Sequence, residues 1–566
     1  MKTAGVSLLF ALSSLSLASG HSQYCWTEGM QRFEVSARGT VEFADDDRDV
    51  KSLSAGGYFR VEENYLLVLD GRSYEVSADG LGHLLRTYTY HGHSGRLDSQ
   101  GQAWLMRVMP DAIRRTGLGA GPRLQRIVRQ GGPAAALSEI SRIDSDESKR
   151  IYIEEFITKY GLGPENLQSV MLQARRIGSD EDKRDLLSSV APYFLKDGLR
   201  EAIFQVAGTI GSDEDRESTL SDLVERDPAS RETLKLAAKT AGHIGSDEEK
   251  AKILLKIADR FKGDREIGRA VLASAGTIGS DEERRRVLTA VLAASTDRET
   301  LHETLRSGAA IGSDEEKASL LMQAAPRYLE DAVTRRAFFD ATATVGSDEE
   351  RRKVLSALLR RSGLTDATLA DIARSAKSIG SDEEKAGVLG EMASANLQSP
   401  VVRAAYFEAA NSIGSDEERK KVLVQTAHHA AGSPEVALEV ARSAKQIGSD
   451  AEKAAVLVEV GTLNRPDEKL LDAFFAAVSS VGSEDERHNI LSAVLKRPGL
   501  TKETVIRVIE AASQINSDEV KAEILTQVLE SPGSDDPQVR AAMKKALNSI
   551  QSDGEYRRIM SAYTKR

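Results

Sequence analysis

Val287, Leu288, Val291 and Leu292 recur at three- and four-residue spacing behind the polar run Ser280-Asp281-Glu282-Glu283, and this alternation of acidic start and apolar stripe returns along most of the chain. The phrase that opens it, of the form Ile-Gly-Ser-Asp-Glu-Glu-Lys, begins at Ile143, Ile177, Ile210, Ile244, Ile278, Ile311, Val345, Ile379, Ile413, Ile447, Val481, Ile515 and Ile550, so every interval is between 33 and 35 residues. A period of this size identifies a repeat array.

Each unit reads as one helical hairpin. In the first helix, Ser280 is placed to accept from the Glu283 amide while the Glu283 carboxylate returns to the cap amide, and the acidic residues oppose the positive end of the helix dipole. Asp297 caps a second helix, whose apolar positions are clearest before Ile379: Leu369, Ile372, Ala373 and Ala376. Gly380 is expected to take a left-handed conformation past the helix end, with Ser381 capping the next helix, so that Gly-Ser alone links one repeat to the next. A single hairpin cannot bury its own apolar face and gains stability by stacking on its neighbours. The predicted fold is therefore mainly α: a right-handed α-solenoid of about twelve 34-residue helical hairpins, preceded by a small antiparallel β domain. Asp144, Asn516 and Gln551 replace the motif glycine in the first and last two copies, as expected of capping repeats.

Between Gln31 and Gly92 the period shortens to two. Phe33, Val35, Val41 and Phe43 alternate with polar residues, Asp70-Gly71 reads as a hairpin turn, and about five strands are expected. Trp104, Val108 and Ala112 return to helical spacing, and Pro122 to Gln130 starts another helix, which together are expected to cover the sheet and cap the first repeat. The boundaries predicted are 1–20 for a signal peptide, 21–98 for the β domain, 99–142 for a helical adaptor and 143–566 for HEAT- or TPR-like repeats.

The signal rests on Lys2, the apolar stretch from Ala4 to Ala18, and the small residues Ala18-Ser19-Gly20, which predict export with cleavage near residue 20. That stretch falls short of the roughly 20 apolar residues that span a bilayer. A secreted or periplasmic protein with no membrane span after cleavage is expected.

Composition narrows the function classes. A net charge of -11 with acidic and basic residues interspersed points away from nucleic acid. Aromatics are 5% of residues, so the core must be built from Leu, Ile, Val and Ala. Cys25 is the single cysteine, which excludes an intrachain disulfide and leaves a free thiol or an intermolecular bridge.

Candidate chemistry is sparse. The Ser-Asp-Glu-Glu clusters lack the alternating ligands and central glycine of a calcium loop, and capping accounts for them. His91 and His93 lie in a glycine-rich turn, and His428-His429 are adjacent helical positions that point apart. His302-Glu303-Thr304-Leu305-Arg306 begins like a zinc-protease helix but has Arg306 where the second histidine ligand belongs. No catalytic, cofactor-binding or metal residue is assigned, no cofactor is expected, and the chain is expected not to be an enzyme.

Gly39-Thr40-Val41-Glu42-Phe43-Ala44-Asp45-Asp46-Asp47-Arg48-Asp49-Val50-Lys51-Ser52-Leu53-Ser54, Ala103-Trp104-Leu105 and the repeated phrase together resemble bacterial extracytoplasmic HEAT-like helical-repeat regions, some of which are attached to beta-lactam-sensor-type membrane metallopeptidase transducers. The likeness covers residues 33 to 566. It implies an envelope location and a sensing or protein-binding role. Membrane helices and a His-Glu-x-x-His motif are missing, so no peptidase activity is carried over. The period also matches tetratricopeptide repeats, whose bulky Trp, Tyr and Phe positions are absent.

The leading expectation is a non-enzymatic extracytoplasmic scaffold that binds a protein or peptide partner on the solenoid surface. The alternative is a cell-envelope sensor or spacer with ligand recognition in the N-terminal β domain.

Overall fold

The computed structural model describes residues 21–65, 68–195, 199–328, 331–429, 433–463 and 467–564. The expected signal segment, 1–20, lies outside the described residues. Two compact units divide the chain, 1–283 and 284–566.

The first unit begins with eight strands: β1 (His21–Glu28), β2 (Gln31–Arg38), β3 (Val41–Phe43), β4 (Val50–Leu53), β5 (Tyr58–Tyr65), β6 (Val68–Ala78), β7 (Leu84–Tyr90) and β8 (His93–Gly95). Six form an antiparallel sheet in the order β1-β2-β5-β6-β7-β8, and β3 pairs with β4 separately. The sheet is larger than the pattern predicts because Tyr24 and Trp26 add an inward-facing strand, β1, ahead of the run that begins at Gln31. The Asp70-Gly71 turn is overturned. Both residues lie inside β6, where Gly71 pairs with Asn64 beside a register shift. A Cβ on Gly71 would fall 2.1 Å from Asn64 Oδ1, so the glycine admits a side chain rather than a turn.

One face of the sheet carries Trp26, Phe33, Val35, Phe59, Val61, Tyr74, Val76 and Tyr88, and helix α1 (Ser99–Thr116) covers it with Trp104, Leu105, Val108, Met109, Ala112 and Ile113. Glu63 occupies an inward position of β5 and is 2% exposed. Its carboxylate is met by the Trp104 indole N–H and by Arg107 at 3.1 Å, so this buried charge is satisfied by the helix that covers it.

Helix α2 (Ala120–Ile140) breaks at Gly132, φ +73°, immediately before Pro133. A second polar contact joins it to the strands. Asp47, at φ +58° in the β3–β4 turn, accepts from Arg123 Nε at 2.8 Å and from Arg126. Arg123 also donates to Glu139 at 2.6 Å and to the Tyr152 hydroxyl at 3.1 Å. Burial pushes the Glu139 carboxyl up, but Arg114 and Arg123 outweigh it and hold the group below its ordinary value.

The hairpins of the first unit are α3 (Asp146–Tyr160) with α4 (Pro164–Arg175), α5 (Asp180–Phe194) with α6 (Arg200–Ala207), α7 (Asp213–Arg226) with α8 (Arg231–Ala241), and α9 (Asp247–Ala258) with α10 (Arg265–Ala275). Each first (A) helix packs on the next A helix and each second (B) helix on the next B helix, which makes a two-layered solenoid.

Helix α11 (Asp281–Ala294) leads into the second unit, which continues with α12 (Arg298–Ala309), α13 (Asp314–Tyr328), α14 (Ala332–Thr342), α15 (Asp348–Leu359), α16 (Asp366–Lys377), α17 (Asp382–Met392), α18 (Pro400–Ala410), α19 (Asp416–His429), α20 (Pro434–Ala444), α21 (Asp450–Gly461), α22 (Glu468–Val478), α23 (Glu484–Leu495), α24 (Lys502–Ser513), α25 (Asp518–Glu530), α26 (Pro537–Leu547) and α27 (Asp553–Thr564). From α12 to α27 the packing is again A on A and B on B. The predicted stripes are the core: Val287, Leu288, Val291 and Leu292 on α11 and Leu369, Ile372, Ala373 and Ala376 on α16 are all buried.

Candidate binding surface

The repeated phrase is a joint between repeats. Ser381 Oγ accepts from the Glu384 amide at 3.3 Å, the predicted cap, and the same bond recurs at Ser179, Ser212, Ser246, Ser347, Ser483 and Ser517. The reciprocal half of the capping box does not form. The Ser381 amide donates instead to Asp348 Oδ2 of the preceding repeat at 2.7 Å, and the Gly380 amide to Asp348 Oδ1 at 3.0 Å. Asp180, Asp213 and Asp247 in the first unit, and Asp314, Asp382, Asp416 and Asp450 in the second, hold the following Gly-Ser amides in the same way. A carboxylate reaching the next link outcompetes a glutamate that would have to fold back over its own first turn.

This corrects the expected role of the link glycine. Gly178, Gly211, Gly245, Gly279, Gly346, Gly380, Gly414, Gly448 and Gly482 all lie outside the left-handed region. A Cβ there would stand 3.0 to 3.2 Å from the stapling carboxylate, so glycine is favoured by the close approach of a side chain. Nor does Gly-Ser alone form the link. The Ile379 amide closes onto Ala376 O at 3.0 Å, and residues 378–381 connect α16 to α17.

The basic residue that ends the phrase is buried in most copies. Lys183, Arg216, Lys250, Lys317, Arg351, Lys385, Arg419, Lys453 and Lys521 are each between 3% and 9% exposed. Lys385 Nζ donates to Ser412 O at 3.2 Å, and Lys183, Lys250, Lys317, Lys453 and Lys521 make the same bond to Thr209, Thr277, Thr344, Ser480 and Ser549. These carbonyls lie just past the B helix of the same repeat, where a cation opposes the negative end of the dipole. The sequence reading passed over this role. Its signal was a basic residue at the same register in copy after copy, which a merely solvated position has no need to keep.

The phrase residues are therefore committed to stacking, and open space lies elsewhere. Clefts open between adjacent B helices: about 700 Å³ between α4 and α6, lined by Leu167, Met171 and Leu172; about 590 Å³ between α8 and α10; and about 260 Å³ between α22 and α24, lined by Asp472 and Phe475. Leu172 at 49%, Val333 at 70% and Val401 at 53% are exposed apolar residues of B helices.

Other singled-out residues are not brought together. His91 and Gly92 form the two-residue turn between β7 and β8, with His91 at φ +48° against the Tyr90 ring. His428 pairs with Glu459 at 3.0 Å. Cys25 is half-buried in β1 with a free thiol. Among the described residues no group of three or more His, Cys, Asp and Glu is placed to hold a metal ion, and no helix is long and apolar enough to cross a membrane.

No protein-family model matches the sequence, and no match is found among curated proteins. Solved helical structures align along much of the chain: a circular tandem repeat protein with novel repeat topology and enhanced subunit contact surfaces (16% identity, TM-score 0.12, 82% of this chain and 94% of that one), the Chs5-Bch1 exomer cargo adaptor complex (10%, 0.17, 85% and 84%), and the karyopherin Kap121p bound to the SUMO protease Ulp1p (11%, 0.15, 82% and 76%). At these identities and TM-scores neither fold nor partner is transferred from them.

Proposed function

We propose that this chain is a non-enzymatic extracytoplasmic scaffold that binds a protein or peptide partner on the B-helix layer of its solenoid. The observation that carries the reading is the division of labour within each repeat. Ser and Asp of the phrase are engaged in joints between repeats and the terminal Lys or Arg closes its own hairpin, whereas the clefts and the exposed Leu172, Val333 and Val401 lie on B helices, whose sequences differ from copy to copy. Stacked hairpins present extended surfaces suited to polypeptide ligands. The extracytoplasmic setting is supported by Lys2 and the Ala4 to Ala18 stretch, and the kinship with the repeat regions of transducer-type envelope proteins by the quoted β-domain and repeat motifs.

The test is a cross-linking pull-down from envelope extract with the full chain, in parallel with Leu172→Asp, Val333→Asp and Val401→Asp variants. A partner held by the native chain and lost from one or more variants supports the reading. A partner held equally by all, or recovery of a polymer or small molecule without protein, moves recognition away from the B layer and toward the β domain. N-terminal sequencing of the purified protein checks export: a start near residue 21 is expected.

A further inference from the structure

One cleft of the B layer differs from the others in charge and in its small-residue floor. Helices α8 and α10 carry Arg231, Lys235, Lys239, Arg265 and Arg269 against Glu232 and Glu266, a basic excess in a chain whose net charge is -11. Lys235 shares Glu232 and Glu266 at 3.2 and 3.6 Å. Lys239 and His243 are exposed and line the same cleft, and among the described residues neither has a carboxylate partner.

Register shapes the floor of this cleft. Two residues before the repeat Ile and five residues before the next one, two other pairs of facing B helices bring long side chains together: Lys377 bonds Glu408 at 2.6 Å between α16 and α18, and Arg175 bonds Gln205 at 2.6 Å between α4 and α6. At α8 and α10 these two positions are Gly242 and Ala273. The bridge is missing, the floor is small, and a space of about 590 Å³ is left, a size that seats a short segment of polypeptide.

From these observations we infer that the α8–α10 cleft is the seat of an acidic peptide segment of the partner, whose carboxylates pair with Lys239 and His243 while its backbone lies over Gly242 and Ala273. The inference rests on the scaffold reading above and gives it a chemistry. Charge complementarity selects the occupant. An acidic side chain supplies the carboxylate that Glu408 supplies between α16 and α18, and charge-assisted bonds of this kind set partner choice and encounter rate.

Fluorescence anisotropy of a labelled oligo-glutamate peptide with the full chain tests it, alongside Lys239→Glu, Ala273→Glu and, as a control at an exposed site of the second unit, Lys502→Glu. Saturable binding to the native chain, weakened about tenfold by Lys239→Glu and by Ala273→Glu but not by Lys502→Glu, is the expected result. Thermal melts of the three variants show that each remains folded. No saturable binding to the native chain, or equal weakening by all three substitutions, overturns the assignment, as does binding of polyphosphate in preference to the peptide. Retention of the cross-linked partner by the native chain without oligo-glutamate binding rejects the acidic seat and leaves the scaffold reading standing. Loss of both rejects both.

Discussion

The Asp348 carboxylate lies one repeat away from Ser381 in sequence and 2.7 Å from its backbone amide in space, so the first residue of one A helix fixes the start of the next. That contact, with its partner to Gly380, turns a capping phrase into a staple between hairpins.

Removing the staple weakens the interface it spans. Asp348→Ala is expected to cost about 1.5 to 3 kcal/mol, the range for hydrogen bonds to a charged group, and Asp348→Asn less, because one acceptor remains. Urea denaturation of the two variants gives the values, and hydrogen exchange should place the loss of protection in α15 to α18.

The buried cation is exchangeable between the two basic residue types but not removable. Arg351 and Arg419 occupy in neighbouring repeats the position of Lys385, and both donate to the same class of carbonyl. Lys385→Arg should therefore stay within about 0.5 kcal/mol of the native chain, while Lys385→Met leaves the Ser412 carbonyl without its cap and should cost about 1 to 2 kcal/mol. Equal stability of the two variants would contradict the capping role.

At one link the residue in the glycine position follows the carboxylate before it, whereas the last link pairs Gln551 with Asp518. Where Asn516 replaces the glycine, the stapling residue is Glu484, and its longer side chain still reaches the Asn516 and Ser517 amides at 2.8 and 3.1 Å. Gly380→Asn is expected to cost about 1 kcal/mol or less, and Asp348→Glu to recover at least about 0.5 kcal/mol of it in a double-mutant cycle. Strict additivity would mean that the two positions are not coupled.

Acid should loosen the staples together. The Gly380 amide, joined by that of Ser381 and opposed by burial, holds the Asp348 carboxyl below its ordinary value, and the Gly245, Gly346, Gly448 and Gly482 amides act likewise on Asp213, Asp314, Asp416 and Asp450. A lowered folded-state value contributes stability that is complete above the unfolded value of about 3.9 and is lost as pH falls through the folded one. Melting temperature should therefore drop below about pH 4, and the drop should be shallower in Asp348→Asn, which has no proton to gain there.

The strand domain is held to the helices through a buried ionic cluster. Arg123→Met leaves Asp47 and Glu139 without their shared cation, and since Arg123 is 3% exposed and Glu139 7%, a loss of about 3 to 5 kcal/mol is expected. Hydrogen exchange of α2 and α3 against that of the second unit checks whether the loss is confined to this junction.

What the sequence determined by itself was periodicity and its direct consequences. The 33- to 35-residue spacing, the apolar stripes such as Leu369-Ile372-Ala373-Ala376, and the serine caps were all legible because each depends on residues within one or two helical turns of one another. Alternation likewise revealed β2 and β3, whereas it missed β1, and the Asp70-Gly71 turn signal misread Gly71, whose reason is the Asn64 side chain on the facing strand. Only the tertiary structure decided what the polar half of the phrase does. Asp348 and Gly380, Lys385 and Ser412, and Asp47 and Arg123 are separated by 32, 27 and 76 residues, and a carboxylate's choice between its own helix start and the next repeat's link depends on how close stacking brings the two. The α8–α10 cleft has the same origin. Gly242 and Ala273 are unremarked small residues in the sequence, and they line one cleft together only because facing B helices set them at the register where Lys377 and Glu408 meet.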